Sequence, residues 1–247
     1  MRFQERNHHL LGDSKGTIML NRNKEKDIFK ALRNGEIEKI KALIDSGIDV
    51  NVQDKNGSTA LMWASHKGYI EAVKALIEAK ADVNIQDNEA WTPLMEASEQ
   101  GYIEIVSALI ESGAIIDMQD KYGWTALMRA AHWGHKEVVK ELIDRGANVD
   151  IQNKTCWTAL MYASKYGFIE IVRELIKSGA NMNIQNENGF TALISAAGKN
   201  HAEITKELVK SGADMNIKDK YGETALDYAK EKGYNDITKL LSKGEQK

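Results

Sequence analysis

Six threonines, Thr59, Thr92, Thr125, Thr158, Thr191 and Thr224, stand 33 residues apart without a slip, each followed two places on by leucine and five places on by alanine. A period this strict means that one structural unit has been copied in tandem. Each copy then buries its apolar face only against its neighbours, so the chain is a linear stack without a single central core. Shared residues describe the scaffold of such a stack, and a binding site must be sought in what differs between copies.

The unit can be read from Asp49 to Ala81. Val50 and Val52 alternate with polar residues, and Asp54-Lys55-Asn56-Gly57 carries turn chemistry, so the front of the unit reads as an extended arm and a tight turn. Thr59 follows as the N-cap of a short helix that buries Leu61 and Ala64, and Gly68 breaks that helix. A second helix carries Ile70, Val73, Leu76 and Ile77 on one amphipathic face.

Turn, Thr-Ala/Pro-Leu-x-x-Ala, helix, glycine and helix at 33 residues resembles the ankyrin repeat. The resemblance implies an all-α solenoid of stacked helix-turn-helix units joined by β-turn or hairpin loops. Full repeats are expected at 49–81, 82–114, 115–147, 148–180 and 181–213. Ile28, Ala31, Gly35, Ile37, Ile40, Leu43 and Ile44 fall in frame as a partial N-terminal capping repeat over 24–48. A C-terminal cap spans 214–247, where Asp227, Asn235, Thr238 and Ser242 replace mostly apolar residues of the central copies, and Lys39 does the same at the front. Residues 1–23 match no unit and are expected to form a mobile leader.

Two departures from the family pattern bear on stability. Met62, Met95, Met128, Met161 and then Ile194 stand where the family has histidine, which predicts thioether packing in the core. The turn glycine, kept at Gly57, Gly123, Gly189 and Gly222, is Ala90 and Cys156 in two units, where a positive φ would cost about 1 kcal/mol each.

Composition narrows the partners. Lys plus Arg total 33 against 36 Asp plus Glu, a net charge of −3, which offers no electrostatic reason to expect nucleic acid or an anionic membrane. The lone Cys156 excludes an internal disulfide framework and fits a reducing compartment. No secretory or membrane-spanning stretch is seen, so a cytoplasmic monomer is expected, with export by a route lacking a cleavable signal as the alternative.

In the family, ligands usually meet the turn tips and the exposed side of the first helix, which line a concave groove. The resemblance therefore assigns the positions of 55, 56, 58, 63, 66 and 67, and their copies, to the ligand. All five tryptophans fall in this set: Trp63, Trp91, Trp124, Trp133 and Trp157. Aromatic residues and arginine dominate interface hot spots, so a protein or peptide partner is expected on Trp124, Arg129, Trp133, Trp157, Tyr162 and Tyr166, flanked by Trp63, Trp91, Tyr122 and Phe190. The competing reading is that these side chains brace adjacent turns. Repeats stack at ~8–10 Å whereas aromatic pairs prefer ~4.5–7 Å, so Trp91, Trp124, Trp157 and Phe190 should form no direct stack and should stay partly exposed.

No catalytic constellation, phosphate loop or nucleophile elbow is visible, and no cofactor or enzyme activity is expected. His66, Glu99 and His132 share one position of the frame, but repeat spacing is too wide for ligands ~2.0–2.2 Å from one ion. A methyl-lysine reader, the rarer family subtype, is opposed by Arg129 beside Trp91, Glu96 and Glu99, and by Lys165 beside Trp157 and Tyr162. A structural or regulatory spacer is the remaining alternative.

Overall fold

A computed structural model describes residues 26–242. The mobile leader expected over 1–23 and the last residues of the C-terminal cap lie outside the described residues. The chain is helical over 26–34 (α1), then forms α2 (Ile37–Asp45), α3 (Ala60–Lys67), α4 (Ile70–Glu78), α5 (Pro93–Gln100), α6 (Ile103–Glu111), α7 (Ala126–Trp133) and α8 (Lys136–Asp144). There follow α9 (Ala159–Tyr166), α10 (Ile169–Lys177), α11 (Ala192–Gly198), α12 (Ala202–Lys210), α13 (Ala225–Glu231) and α14 (Asn235–Ser242). No strand is present among the described residues, and the extended arm is reduced to an isolated bridge between Gln53 and Thr59.

Each inner helix starts for the reason the sequence gives. Thr59 is extended at ψ 167°, and its hydroxyl accepts from the Met62 N–H at 3.2 Å. The same bond recurs at Thr92, Thr125, Thr158, Thr191 and Thr224. These caps are worth about 1 kcal/mol each. At Met62 the thioether also accepts from the Thr59 N–H at 3.4 Å, closing a weak capping box. The methionine stripe is otherwise core, with Met62, Met95, Met128 and Met161 buried.

Two columns result. The inner column α3, α5, α7, α9, α11, α13 packs helix to helix more closely than the outer column α2, α4, α6, α8, α10, α12, α14. Leu61, Leu94, Leu127, Leu160 and Leu193 face the outer-helix residues Leu76, Leu109, Leu142, Leu175 and Leu208, all buried, in one continuous core. Lys39 is exposed where Ala72 is buried, and Asn235 is exposed while Asp227 caps α13 through Thr224.

The link between helices needs glycine twice over. Gly101 has φ +80°, and a Cβ there would lie 2.5 Å from the His135 ring, whose Nε2 donates to the Glu99 carbonyl at 2.9 Å. His135 is thus a structural contact between repeats.

Ala90 (φ 61°) and Cys156 (φ 60°) keep the left-handed turn that their glycine counterparts make, so both positions carry strain. Ala90→Gly and Cys156→Gly should each raise the unfolding free energy by about 0.5–1 kcal/mol, the relief of the Cβ penalty less the added freedom of the unfolded chain. Urea denaturation reads this, and a loss of stability in both would show that the turns are relaxed.

Candidate functional site

The face that the resemblance assigns to ligand is built from turn tips. In each unit one Asp or Asn closes the turn with its Oδ1: Asp120 accepts from the backbone N–H of Tyr122 (2.7 Å) and Trp124 (2.9 Å). Asn153 does so for Thr155 and Trp157, and Asn186 for Asn188 and Phe190. Neighbouring tips are then zipped together, as in Lys154 N–H to the Tyr122 carbonyl at 2.9 Å. Behind them Gln53, Gln86, Gln119, Gln152 and Gln185 each donate to their own turn and to the following repeat. The tips form a rigid comb.

The turn residue also reaches nine places on, to the inner helix. Asp54 accepts from Trp63 Nε1 at 3.1 Å, Asp120 pairs with Arg129, Asn153 Nδ2 donates to the Tyr162 hydroxyl at 2.9 Å, and the Tyr228 hydroxyl donates to Asp219 at 2.7 Å. Side chains at the Trp63 position are therefore folded back onto the scaffold, whereas the sequence reading gave that position to a ligand.

Interleaving joins the aromatic rungs. The Arg129 guanidinium lies 3.9 Å from the Trp91 ring centroid and 4.7 Å from that of Trp124. Tyr162 stacks on Trp124 at 4.4 Å and on Trp157 at 5.0 Å. The tryptophans do not stack directly on one another; a side chain from the inner helix divides each interval instead. The result is a column, Trp91, Arg129, Trp124, Tyr162, Trp157, that braces repeats 82–114 to 148–180.

This sorts the expected contact residues. Tyr162 is a correction: it is only 7% exposed and held on both faces, so it offers no surface to a partner. Arg129 is similarly committed, with a side chain 14% exposed and bonds to Asp120 and to Glu99 at 2.9 Å. Trp63, Trp91, Trp124, Trp157 and Phe190 are half-buried. Tyr122 (60% exposed), Trp133 (54%) and Tyr166 (42%) stand free. Trp91 has its face covered by the chain's own guanidinium, so the cage geometry of a methyl-lysine reader is filled in cis.

Two residues outside the expected site matter. Tyr221, at the last turn tip, is 79% exposed. His132 is the hub of the cluster, edge-on to Trp124 (5.3 Å), Trp133 (5.1 Å), Tyr162 (5.4 Å) and Tyr166 (4.6 Å). Its place in the frame was legible; its aromatic surroundings were not, because they come from two repeats.

Electrostatics follow from burial. Burial, then Lys165 and Arg129, hold the His132 pKa below the ordinary imidazole value, which keeps the hub neutral at pH 7. Burial pushes the Tyr162 phenol up to about 12. Burial also raises the Glu96 carboxyl, against the pull of His66 at 2.9 Å, with Glu99 and Asp87 adding to the rise. His66, Glu99 and His132 are thereby taken into three separate partnerships, and no cluster able to hold a metal ion occurs among the described residues.

A pH dependence results. Because the folded state resists protonating His132, the unfolded chain binds the extra proton, and stability present above about pH 6.5 is lost as pH falls toward the lowered folded value. Glu96, with its raised pKa, works in the opposite sense. Comparison with His132→Gln isolates the histidine: the urea midpoint of the native chain should drop more between pH 7.5 and 5 than that of the variant. Equal drops would remove His132 from the explanation.

Helix pairs stacked at a fixed 33-residue step, with zipped turn tips, define a helical-repeat solenoid. The chain belongs to the ankyrin repeat family: the family model described as ankyrin repeats (3 copies) matches residues 28–120, 70–153, 113–186 and 160–247. Such repeats are generally protein–protein interaction modules. No curated protein matches the chain. No described helix is long and apolar enough to cross a membrane.

Proposed function

We propose that the chain is a non-catalytic scaffold that holds a protein or peptide partner against the turn tips and inner helices, with Trp133, Tyr166 and Tyr122 as the principal contacts. The observation that carries this reading is the exposure of Trp133 and Tyr166, which end α7 and α9 in neighbouring repeats and are joined through the neutral His132 ring. Large rigid aromatics left in water on an otherwise braced surface are the residue types that anchor interfaces. The scaffold works as a cytoplasmic monomer by rigid display, since the comb and column beneath the contacts leave little to reorganise on binding. The test is affinity capture from the native organism's lysate by the wild type and by Trp133→Ala/Tyr166→Ala side by side. A captured protein lost only from the variant supports the reading, and identical capture contradicts it.

A further inference from the structure

The bracing column stops at Trp157, and the next rung is missing. In repeat 148–180, Tyr162 fills the interval between Trp124 and Trp157 and its hydroxyl accepts from Asn153 Nδ2. One repeat on, the same two positions are Asn186 and Ser195. Asn186 accepts the same pair of backbone N–H groups, at 2.9 Å each, so its amide is held in the same orientation. Ser195 is too short to answer and donates instead to the Thr191 carbonyl at 2.8 Å. Asn186 Nδ2 is left buried with no acceptor among the described residues, in a residue only 5% exposed.

Ser195, in the place of that tyrosine, lines a cleft of about 370 Å³. Trp157 and Phe190 line it, and Tyr228, edge-on to Phe190 at 5.5 Å, lines its far side. That volume falls in the range of roughly 300–1,000 Å³ in which proteins enclose ligand groups. Lys165, Lys199 and Lys232 also line it, and none has a carboxylate within ion-pair distance among the described residues. Lys165 Nζ lies 4.8 Å from the Trp157 centroid, and Lys232 Nζ donates to the Gly198 carbonyl at 2.7 Å.

We propose that this cleft takes a tyrosine side chain from an acidic segment of the partner, which completes the column in trans. The proposal rests on the docking-face reading above and names the partner chemistry it would select. An arginine, which forms the rung at Arg129, is disfavoured here: Arg129 is held by Asp120 and Glu99, whereas three lysines line this cleft and the neutral Asn186 stands where Asp120 does two repeats earlier. An aromatic ring matches the Trp157 and Phe190 walls, a phenol oxygen supplies the acceptor that Asn186 lacks, and flanking Asp or Glu residues neutralise the lysines.

Fluorescence anisotropy with the labelled pentapeptide Asp-Glu-Tyr-Glu-Asp on the full chain tests this. Saturable binding is expected, weakened at least about tenfold when leucine replaces the tyrosine, and by a similar factor in Lys199→Glu/Lys232→Glu. Ser195→Tyr, which supplies the rung in cis, should abolish binding and raise the urea midpoint. If that variant fails to fold, Gly198→Leu serves: a Cβ at Gly198 meets only the Tyr228 ring at 3.9 Å and Lys232 Nζ at 4.0 Å, so a larger side chain enters the cleft. Equal affinity for the tyrosine and leucine peptides, wild-type affinity in a folded filled-cleft variant, or no saturable binding would each overturn the proposal. Lysate capture that needs Trp133 and Tyr166 but ignores Ser195→Tyr would reject the cleft alone. Pentapeptide binding with capture insensitive to Trp133 and Tyr166 would reject the wider face alone.

Discussion

Asp120→Ala is expected to lower the unfolding free energy of the array by about 3–5 kcal/mol, among the largest effects open to a single substitution outside the apolar core. Its side chain has no exposure, closes the turn through two backbone N–H groups, and neutralises Arg129, which is itself almost enclosed between Trp91 and Trp124. Alanine leaves a guanidinium with one carboxylate, Glu99, and two backbone donors without acceptors. The rescue is written in the next repeat. Asp120→Asn combined with Arg129→Tyr copies the Asn153–Tyr162 arrangement and should restore most of the loss, because a hydrogen-bonded phenol between two tryptophans needs no buried charge. Urea denaturation of the three proteins measures this. If Asp120→Ala costs less than about 1 kcal/mol, the column does not brace the stack.

The second large effect falls on binding. Trp133→Ala/Tyr166→Ala should weaken the captured partner at least about a hundredfold, since each buried interface aromatic commonly contributes 2 kcal/mol or more and the two adjoin one histidine. Stability should change by no more than about 1 kcal/mol, because both rings are about half exposed and touch the cluster only edge-on at His132. Titration calorimetry with the captured partner decides: affinity within threefold of wild type would mean that the exposed pair is not the anchor. Removing Trp124 and Trp157 would be a poorer test, because both hold the column together and a folding defect would pass for a binding defect.

Much of the fold was legible because periodicity is a one-dimensional property. Thr59 and its copies specify caps, Leu61 and Ala64 specify the core side, and Gly68 specifies the link, all within one unit. The strain at Ala90 and Cys156 was also visible as a departure from glycine. The site was legible as a set of positions and misread in its roles. Position 63 and its copies were assigned to a ligand by the family resemblance, but their partners are fixed nine residues earlier, as in Asp54 with Trp63 and Asp120 with Arg129. That pairing is itself a readable signal: acid opposite a donor in three units, asparagine opposite tyrosine in one, and asparagine opposite serine where the cleft opens. The five glutamines from Gln53 to Gln185, strictly in frame, were a second such signal. What no single unit could disclose is the His132 environment, since four rings from two repeats converge on it.

Binding to the comb-and-inner-helix face is tested most directly by amide hydrogen exchange of the chain with and without its captured partner. Protection should appear at the turn tips around Tyr122, Thr155 and Asn188 and along the C-terminal turns of α7 and α9, with the outer helices α8, α10 and α12 unchanged. Protection confined to α8, α10 and α12, with the tips exchanging as in the free chain, would contradict it.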